Sequence, residues 1–234
     1  MDSLIKGGLA VVIGGTGGIG AAMLEALNQS GAFSETIGHS RTSEPAIDLL
    51  DEQSIIRAAD AISSRQAQLR LVFDATGFLH GGGFNPEKSL NAVTPAHMAH
   101  AFAVNAMGPA LLMKHFLPLL APDGKSVFAT LSAKVGSIAD NQLGGWYSYR
   151  ASKAALNQFV HTAAIELARR KPEAVCVALH PGTVDTGLSS AFAKTGLKVR
   201  QPAEAAALLI AAMDRLAPAQ SGGFFDYHGK RLPW

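Results

Sequence analysis

This sequence predicts a doubly wound α/β domain built on a parallel sheet of about seven strands. Three observations carry the prediction. Unbroken runs of Val, Ile and Leu, each of strand length, recur along the chain; segments with helical spacing separate them; and a glycine-rich turn follows the first run. Strands that read as continuous apolar runs are covered on both faces, as when each joins the next parallel strand through a helix. No internal repeat, low-complexity tract or linker interrupts the pattern, so residues 1–234 are expected to form one domain.

In chain order, the first strand is expected at Leu9–Ile13, and "GAAMLEALNQSG" after it has helical spacing. Further strands are expected at Thr36–His39, Arg70–Asp74, Ser126–Leu131, Ala174–His180 and Gly223–Asp226, with a very short one near Ala46–Ile47. "ASKAALNQFVHTAAIELARR" supplies another helix. Between "IGHSRT" and "AIDLLD" there is no room for a full helix, so one crossover must shrink to a loop.

Composition narrows the function. Of 234 residues, 48% are apolar and 16% charged, which suits a folded core and excludes a disordered chain. A formal charge of +2, without any block of like charges, argues against a dedicated nucleic-acid or membrane-surface binder. The one cysteine, Cys176, sits in the apolar run "AVCVAL" and reads as a core residue in a reducing compartment. No apolar run approaches the ~18–20 residues of a membrane span. The N-terminus runs straight into a strand without the features of a signal peptide. A soluble, cytoplasmic protein is expected.

The turn "GGTGGIG" places Gly14, Gly18 and Gly20 between a strand and a helix. Glycine lets backbone N–H groups approach a phosphate, and the helix N-terminus adds partial positive charge. Thr16 can add a hydroxyl. In that context the turn predicts a dinucleotide site. An acidic residue about twenty positions on would hold the ribose hydroxyls of NAD, whereas an arginine accommodates the extra phosphate of NADP. The second strand ends in "HSRT", with Arg41 and no Asp or Glu at its tip, so NADP(H) is expected over NAD(H).

In "GGWYSYRASKAAL", Tyr149 and Lys153 are four residues apart and share a helix face. Tyr147 is six residues from Lys153, roughly 240° round the helix, and points elsewhere. A free phenol, with a pKa of about 10, is a poor acid–base group at neutral pH. A neighbouring ammonium favours the phenolate and brings that pKa toward the working range.

The glycine turn together with Tyr149 and Lys153 resembles the short-chain dehydrogenase/reductase family, and the resemblance runs along nearly the whole chain. "GSIADNQLGGWYSYRASKAALN" and the ending "GKRLPW" are similar to its C-factor-like and sniffer-like carbonyl reductases. The resemblance implies a Rossmann-type fold and a nucleotide site that begins with Gly14, Thr16, Gly18, Ile19, Gly20 and Arg41. In "IDLLD" it implies adenine contacts from Asp48 and Leu49. In "DATG", Ala75, Thr76 and Gly77 stand where the family carries its N-N-A-G turn. In "HPGTVDTGL", Pro181 and Gly182 lead to Val184 and Thr186, which would meet the nicotinamide carboxamide. Asn105, Tyr149 and Lys153 complete the set.

The catalytic residues implied are Asn105, Ser132, Tyr149 and Lys153. Pro109 has no N–H to offer the carbonyl of Asn105, four residues earlier, so that carbonyl can hold a water linking Lys153 to solvent. The family usually has two serines at the end of the fifth strand; "TLSAKVGSI" has Ser132 followed by Ala133, so the hydroxyl must come from Ser132 or Ser137. Asp74 replaces the family asparagine, and Ile13 the threonine before the first glycine.

Hydride transfer between NADP(H) and a small, uncharged ketone, aldehyde or secondary alcohol is the activity implied, by a homodimer or homotetramer. A substrate lid is expected near residues 183–200. His80 is a candidate cleft residue; His97 and His100 lack a third ligand and suggest no metal site. No G-x-S-x-G elbow supports a serine hydrolase. Ala133 keeps a second reading open, an NADP(H)-binding regulator without turnover. A sugar-nucleotide epimerase would need a longer C-terminal region.

Overall fold

A computed structural model of the protein describes residues 1–188 and 199–234. Residues 189–198, the middle of the expected lid, lie outside the described residues. The six longer strands, β1 (Leu9–Ile13), β2 (Glu35–His39), β3 (Leu69–Asp74), β4 (Ser126–Leu131), β5 (Ala174–His180) and β8 (Phe224–Asp226), form one sheet. Its order is β2-β1-β3-β4-β5-β8, and every pairing is parallel. Two-residue strands β6 (Thr183–Val184) and β7 (Val199–Arg200) pair separately and tie together the described ends of the segment expected as a lid.

The period of two along each strand sorts its side chains between two cores. Val11, Ile13, Val72, Phe128 and Cys176 meet α2 (Glu52–Ser63), α4 (Gly108–Phe116) and α5 (Tyr147–Ala168) on one face. Ala10, Val12, Phe73, Val127 and Val175 meet α1 (Gly18–Gln29) and α6 (Pro202–Arg215) on the other. Cys176 is buried, and burial pushes its thiol up to about 12, which suits a packing role. Among the described residues, no helix is long and apolar enough to cross a membrane.

The expected strand near Ala46–Ile47 does not form, which leaves six strands in the main sheet. Pro45 cannot donate to a ladder. Local bonds take over instead: Ser43 Oγ donates to the Ser40 and Pro45 carbonyls at 2.9 and 2.8 Å, and Ile47 N donates to Ser40 O at 2.8 Å. The shrunken crossover is present as expected; no helix stands between β2 and α2, and Asp51 caps α2 through a 3.0 Å bond from Gln53 N.

The chain passes from β1 out to β2 and returns to β3 on the other side of β1. That reversal is the topological switch point where doubly wound sheets bind ligands, at the carboxyl ends of their strands. The glycine turn, "DATG", Ser132 and "HPG" all follow such strand ends.

Candidate active site

The glycine turn fits a phosphate. Gly14 has φ +81°, a conformation that favours glycine, and Gly14 N and Gly15 N donate to His39 O at 2.8 and 3.0 Å. A Cβ on Gly20 would lie 2.1 Å from Gly14 O, so α1 can start this close to the strand only without a side chain there. Gly17 caps α1 without a side-chain bond, and its first turn holds no acidic residue. Backbone N–H groups and the positive helix end are thus the local donor set, which suits an anion. The His39 carbonyl also places the tip of β2 against the turn. Arg41 just beyond it is exposed and makes no salt bridge among the described residues, whereas Thr16 is exposed on the turn itself.

At the end of β3, Asp74 is fully buried. Thr76 N and Oγ1 donate to its Oδ1 at 3.0 and 2.6 Å, and Thr130 Oγ1 donates to Oδ2 at 2.6 Å. Both oxygens accept, and threonines on two segments supply the protons. That explains an aspartate where an asparagine was expected. Burial raises its pKa; Thr130, Thr76 and the charge of Lys153 oppose the rise. Ala75 N donates to Ile13 O at 2.9 Å and holds this turn beside the glycine turn.

Asn105 is fully buried, in a turn of π-helix (Ala103–Met107) that joins α3 (Pro95–Phe102) to α4. Gly108 N reaches Ala103 O, five residues back, so Pro109 stands just after a widened turn rather than at a sharp kink. The Asn105 amide clamps the segment after "DATG": Oδ1 accepts from Phe78 N at 2.7 Å, and Nδ2 donates to Phe78 O at 2.8 Å and Ser152 Oγ at 3.1 Å. A Cβ on Gly77 would lie 3.6 Å from Lys153 Nζ and 3.7 Å from Asn105 Oδ1, so Gly77, Asn105 and Lys153 meet at one point.

Tyr149 and Lys153 share a face of α5, both buried, with Lys153 Nζ 6.0 Å from the centre of the Tyr149 ring. Lys153 Nζ donates to Leu131 O at 2.7 Å, and burial holds it down to about 8 despite Asp74. Burial also raises the Tyr149 pKa, so in the protein alone the phenol is not brought toward neutrality as its lysine neighbour suggested. The ammonium faces a carbonyl, and desolvation dominates. Tyr147 is exposed, as its spacing predicted.

Ser132 and Ala133 both stand in the wall of a cleft of about 410 Å³ that Tyr149 also lines. Ser132 Oγ donates to Asn157 Oδ1 at 2.7 Å. Ser137 is buried outside that wall and accepts from Asp140 N at 3.1 Å, which leaves Ser132 as the nearer hydroxyl. Ile19, Pro181, Gly182, Val184 and Thr186 line the same cleft. A Cβ on Gly18 would lie 2.7 Å from Thr186 Cγ2, so the chain after β5 folds down onto the glycine turn.

Asp48 and Leu49 stand apart from the cleft wall. Asp48 Oδ1 accepts from Leu50 N at 3.0 Å, and Leu49 packs against Gly108, where a Cβ would come 2.7 Å from its own. His80 Nε2 lies 3.1 Å from Gly187 O and joins the segments after β3 and β5. His97 is buried, and no group of three metal-binding side chains occurs among the described residues.

Sequence reasoning missed much of the cleft wall: Leu79, Leu143, Trp146, Arg150 and His180. The glycine pair before Trp146 was the available signal, since Gly144, Gly145 and Trp146 all have positive φ (62°, 66° and 55°). Arg150 does not wait for an anion. It donates to the carbonyls of Gly145, Val135 and Gly144 at 2.9, 3.1 and 3.1 Å and staples two cleft loops together. Lys134 pairs with Asp140 at 3.2 Å.

His180 Nδ1 is buried without a partner, and burial holds this histidine down to about 4. Between pH 6.5 and 4 the unfolded chain therefore binds a proton here that the folded one does not, and stability falls as pH falls. Wild-type protein is expected to lose about 2 kcal/mol at pH 5 through this group. Urea denaturation at pH 7 and pH 5 checks it: His180→Gln should shrink the difference, and an unchanged difference would refute the assignment.

Comparison with known proteins adds to this geometry. A family model described as enoyl-(acyl carrier protein) reductase matches residues 15–214. The chain is 38% identical over 148 residues to the C-signal of Myxococcus xanthus, covering 62% of this chain and 84% of that protein. It is 31% identical over 193 residues to 1-hydroxy-2-glutathionyl-2-methyl-3-butene dehydrogenase of Rhodococcus sp. (strain AD45), covering 82% and 80%. The fold is similar to an NADPH-bound carbonyl reductase from chicken fatty liver, with a TM-score of 0.85 and 22% identity over 98% of this chain and 95% of that one.

Proposed function

Because the chain belongs to the short-chain dehydrogenase/reductase family, we propose that it is an NADP(H)-dependent oxidoreductase acting on a small, uncharged ketone or aldehyde, or the matching secondary alcohol. The observation that carries this reading is Tyr149 in the wall of a cleft that Ile19, at the glycine turn, also lines, with Lys153 buried behind it and its Nζ 6.0 Å from the Tyr149 ring centre.

The phosphates would rest on the backbone N–H groups at the start of α1, Gly18–Gly20, with Thr16 beside them and Arg41 on the additional phosphate. Asp48 and Leu49 would face the adenine; Ala75, Thr76 and Gly77 would pass beside the nucleotide; and Pro181, Gly182, Val184 and Thr186 would frame the nicotinamide. The similarity to an NADPH-bound reductase supports this choice of cofactor. When bound, the reduced cofactor supplies the hydride.

Tyr149, kept protonated at rest by burial, donates its proton to the carbonyl oxygen. Lys153 restores the proton and binds the nicotinamide ribose, and Asn105 fixes the surrounding turn. With Ala133 in the usual serine slot and the Ser132 hydroxyl turned to Asn157, Tyr149 carries the proton transfer in this wall.

The substrate class follows from what the cleft offers. Leu79, Val135, Leu143, Trp146 and Leu188 are apolar, Arg150 and Lys134 are engaged, and His180 is neutral at pH 7. A carboxylate would find no unpaired cation among these groups. An apolar groove between α4 and α5, floored by Met113 and Leu167 and rimmed by the exposed Phe159, supports a homo-oligomer.

The test is NADPH oxidation across a panel of neutral carbonyl compounds, with Arg41→Ala beside wild type. Arg41→Ala should weaken NADPH by about tenfold to a hundredfold while changing NADH little. Equal effects on both nucleotides would sink the phosphate assignment. Tight NADPH binding by a wild type silent on the whole panel would favour the regulator instead.

A further inference from the structure

Between β3 and α3 the chain carries Glu87, an acidic side chain only 1% exposed. Its carboxylate accepts from the Ser148 backbone N–H at 3.2 Å and from the Ser148 hydroxyl, and His97 Nδ1 lies 3.1 Å from Oε1. Glu87's backbone oxygen takes the Trp146 N–H at 2.5 Å. Burial works against the charge, yet the Ser148 hydroxyl, backbone N–H groups and His97 outweigh it and hold the carboxyl below the usual glutamate range. A carboxylate has no proton to give, so His97 Nδ1 is the donor. His97 in turn stacks on Phe84, with ring centres 5.0 Å apart and 7° between planes.

Ser148 is the second residue of α5 and the immediate neighbour of Tyr149. The helix does not cap itself. Its N-cap, Trp146, is left-handed and makes no side-chain cap bond, and the first turn contains no acidic residue. The first N–H groups of a helix have no partners within it, and Ser148 is buried away from water. The acceptor comes instead from Glu87, 61 residues earlier, and its charge meets the positive end of the helix.

We propose that Glu87 is a positioning residue: by capping α5 through Ser148 it fixes the turn that aims the Tyr149 hydroxyl, and it governs kcat without touching substrate or cofactor. The proposal rests on the oxidoreductase reading above. A misplacement of about 1 Å at a reacting group can cost a hundredfold in rate, so a loosened first turn shows in kcat before it shows in cofactor binding.

The experiment compares Glu87→Ala, Glu87→Gln and Glu87→Asp with wild type, with kcat expressed per NADPH-binding site titrated by fluorescence. Glu87→Ala should lower kcat by about tenfold to a hundredfold and leave NADPH affinity within about threefold. Glu87→Gln keeps the reach: its oxygen can accept from Ser148 N while its amide donates to the Ser148 hydroxyl and to the other tautomer of His97. It should recover most of the loss. Glu87→Asp keeps the charge but falls short by one methylene and should recover less than Gln. If the alanine variant does not fold, the order of Gln above Asp decides the matter, and the reverse order overturns the proposal. So does a kcat for Glu87→Ala within about threefold of wild type, or a parallel loss of kcat and NADPH affinity in all three.

Hydrogen exchange over residues 146–152 is read alongside. Faster exchange there in Glu87→Ala, with the rest of α5 unchanged, supports the cap, and equal exchange refutes it. A wild type silent on the carbonyl panel removes the oxidoreductase reading itself, and these exchange rates then still decide whether Glu87 caps α5.

Discussion

Tyr149→Phe is expected to lower kcat for NADPH-dependent carbonyl reduction by about 10²–10⁴-fold while NADPH affinity stays near wild type. The substitution removes one oxygen from a buried ring that packs edge-on against Trp146, with ring centres 6.1 Å apart and 73° between planes. Packing therefore survives, and what disappears is the acid. Ala133 in the neighbouring slot has no hydroxyl, and the Ser132 hydroxyl is already committed to Asn157. The measurement is single-turnover NADPH oxidation with saturating substrate, paired with a fluorescence titration of cofactor. Retention of more than about a tenth of the rate would show that another group delivers the proton.

Lys153→Met should fail differently. Methionine fills the channel, but it cannot donate to Leu131 O, bind a ribose hydroxyl or carry charge. The kcat/KM for the carbonyl substrate should drop by about a hundredfold or more, and NADPH affinity should weaken by about tenfold. That weakening separates the two residues: the phenylalanine variant keeps its cofactor, and the methionine variant holds it poorly. The same titration reads both. Identical cofactor affinities would mean that Lys153 serves only the proton and not the nucleotide.

The sequence made legible what depends on local spacing. Strands β1, β3, β4 and β5 stood out because burial on both faces leaves nearly continuous apolar runs, and the glycine turn because only glycine tolerates the approach of Gly20 to Gly14 O. Tyr149 was chosen over Tyr147 from helical angle alone, and the burial of one and exposure of the other agree. Features built by long-range pairing stayed hidden. Asp74 looked like a departure until Thr130, 56 residues on, was seen to donate to it. The cap on α5 joins residues 61 apart. Two-residue strands such as β6 and β7 have no period to detect, and the strand near Ala46–Ile47 was overread because a short apolar pair says nothing about where its hydrogen bonds go. Burial, too, is a property of the assembled fold; it raised the Tyr149 pKa where a lysine one turn away had suggested the opposite.

The widened turn at Ala103–Met107 has a consequence for how this chain can vary. It adds one residue beyond what regular helical hydrogen bonding needs, and every side chain downstream is turned by about 100° as a result. Excision of a single residue there would heal the ladder into a straighter and more regular rod. It would also swing either Asn105 away from Phe78 or the α4 side chains away from the sheet, so the imperfection has to be inherited intact.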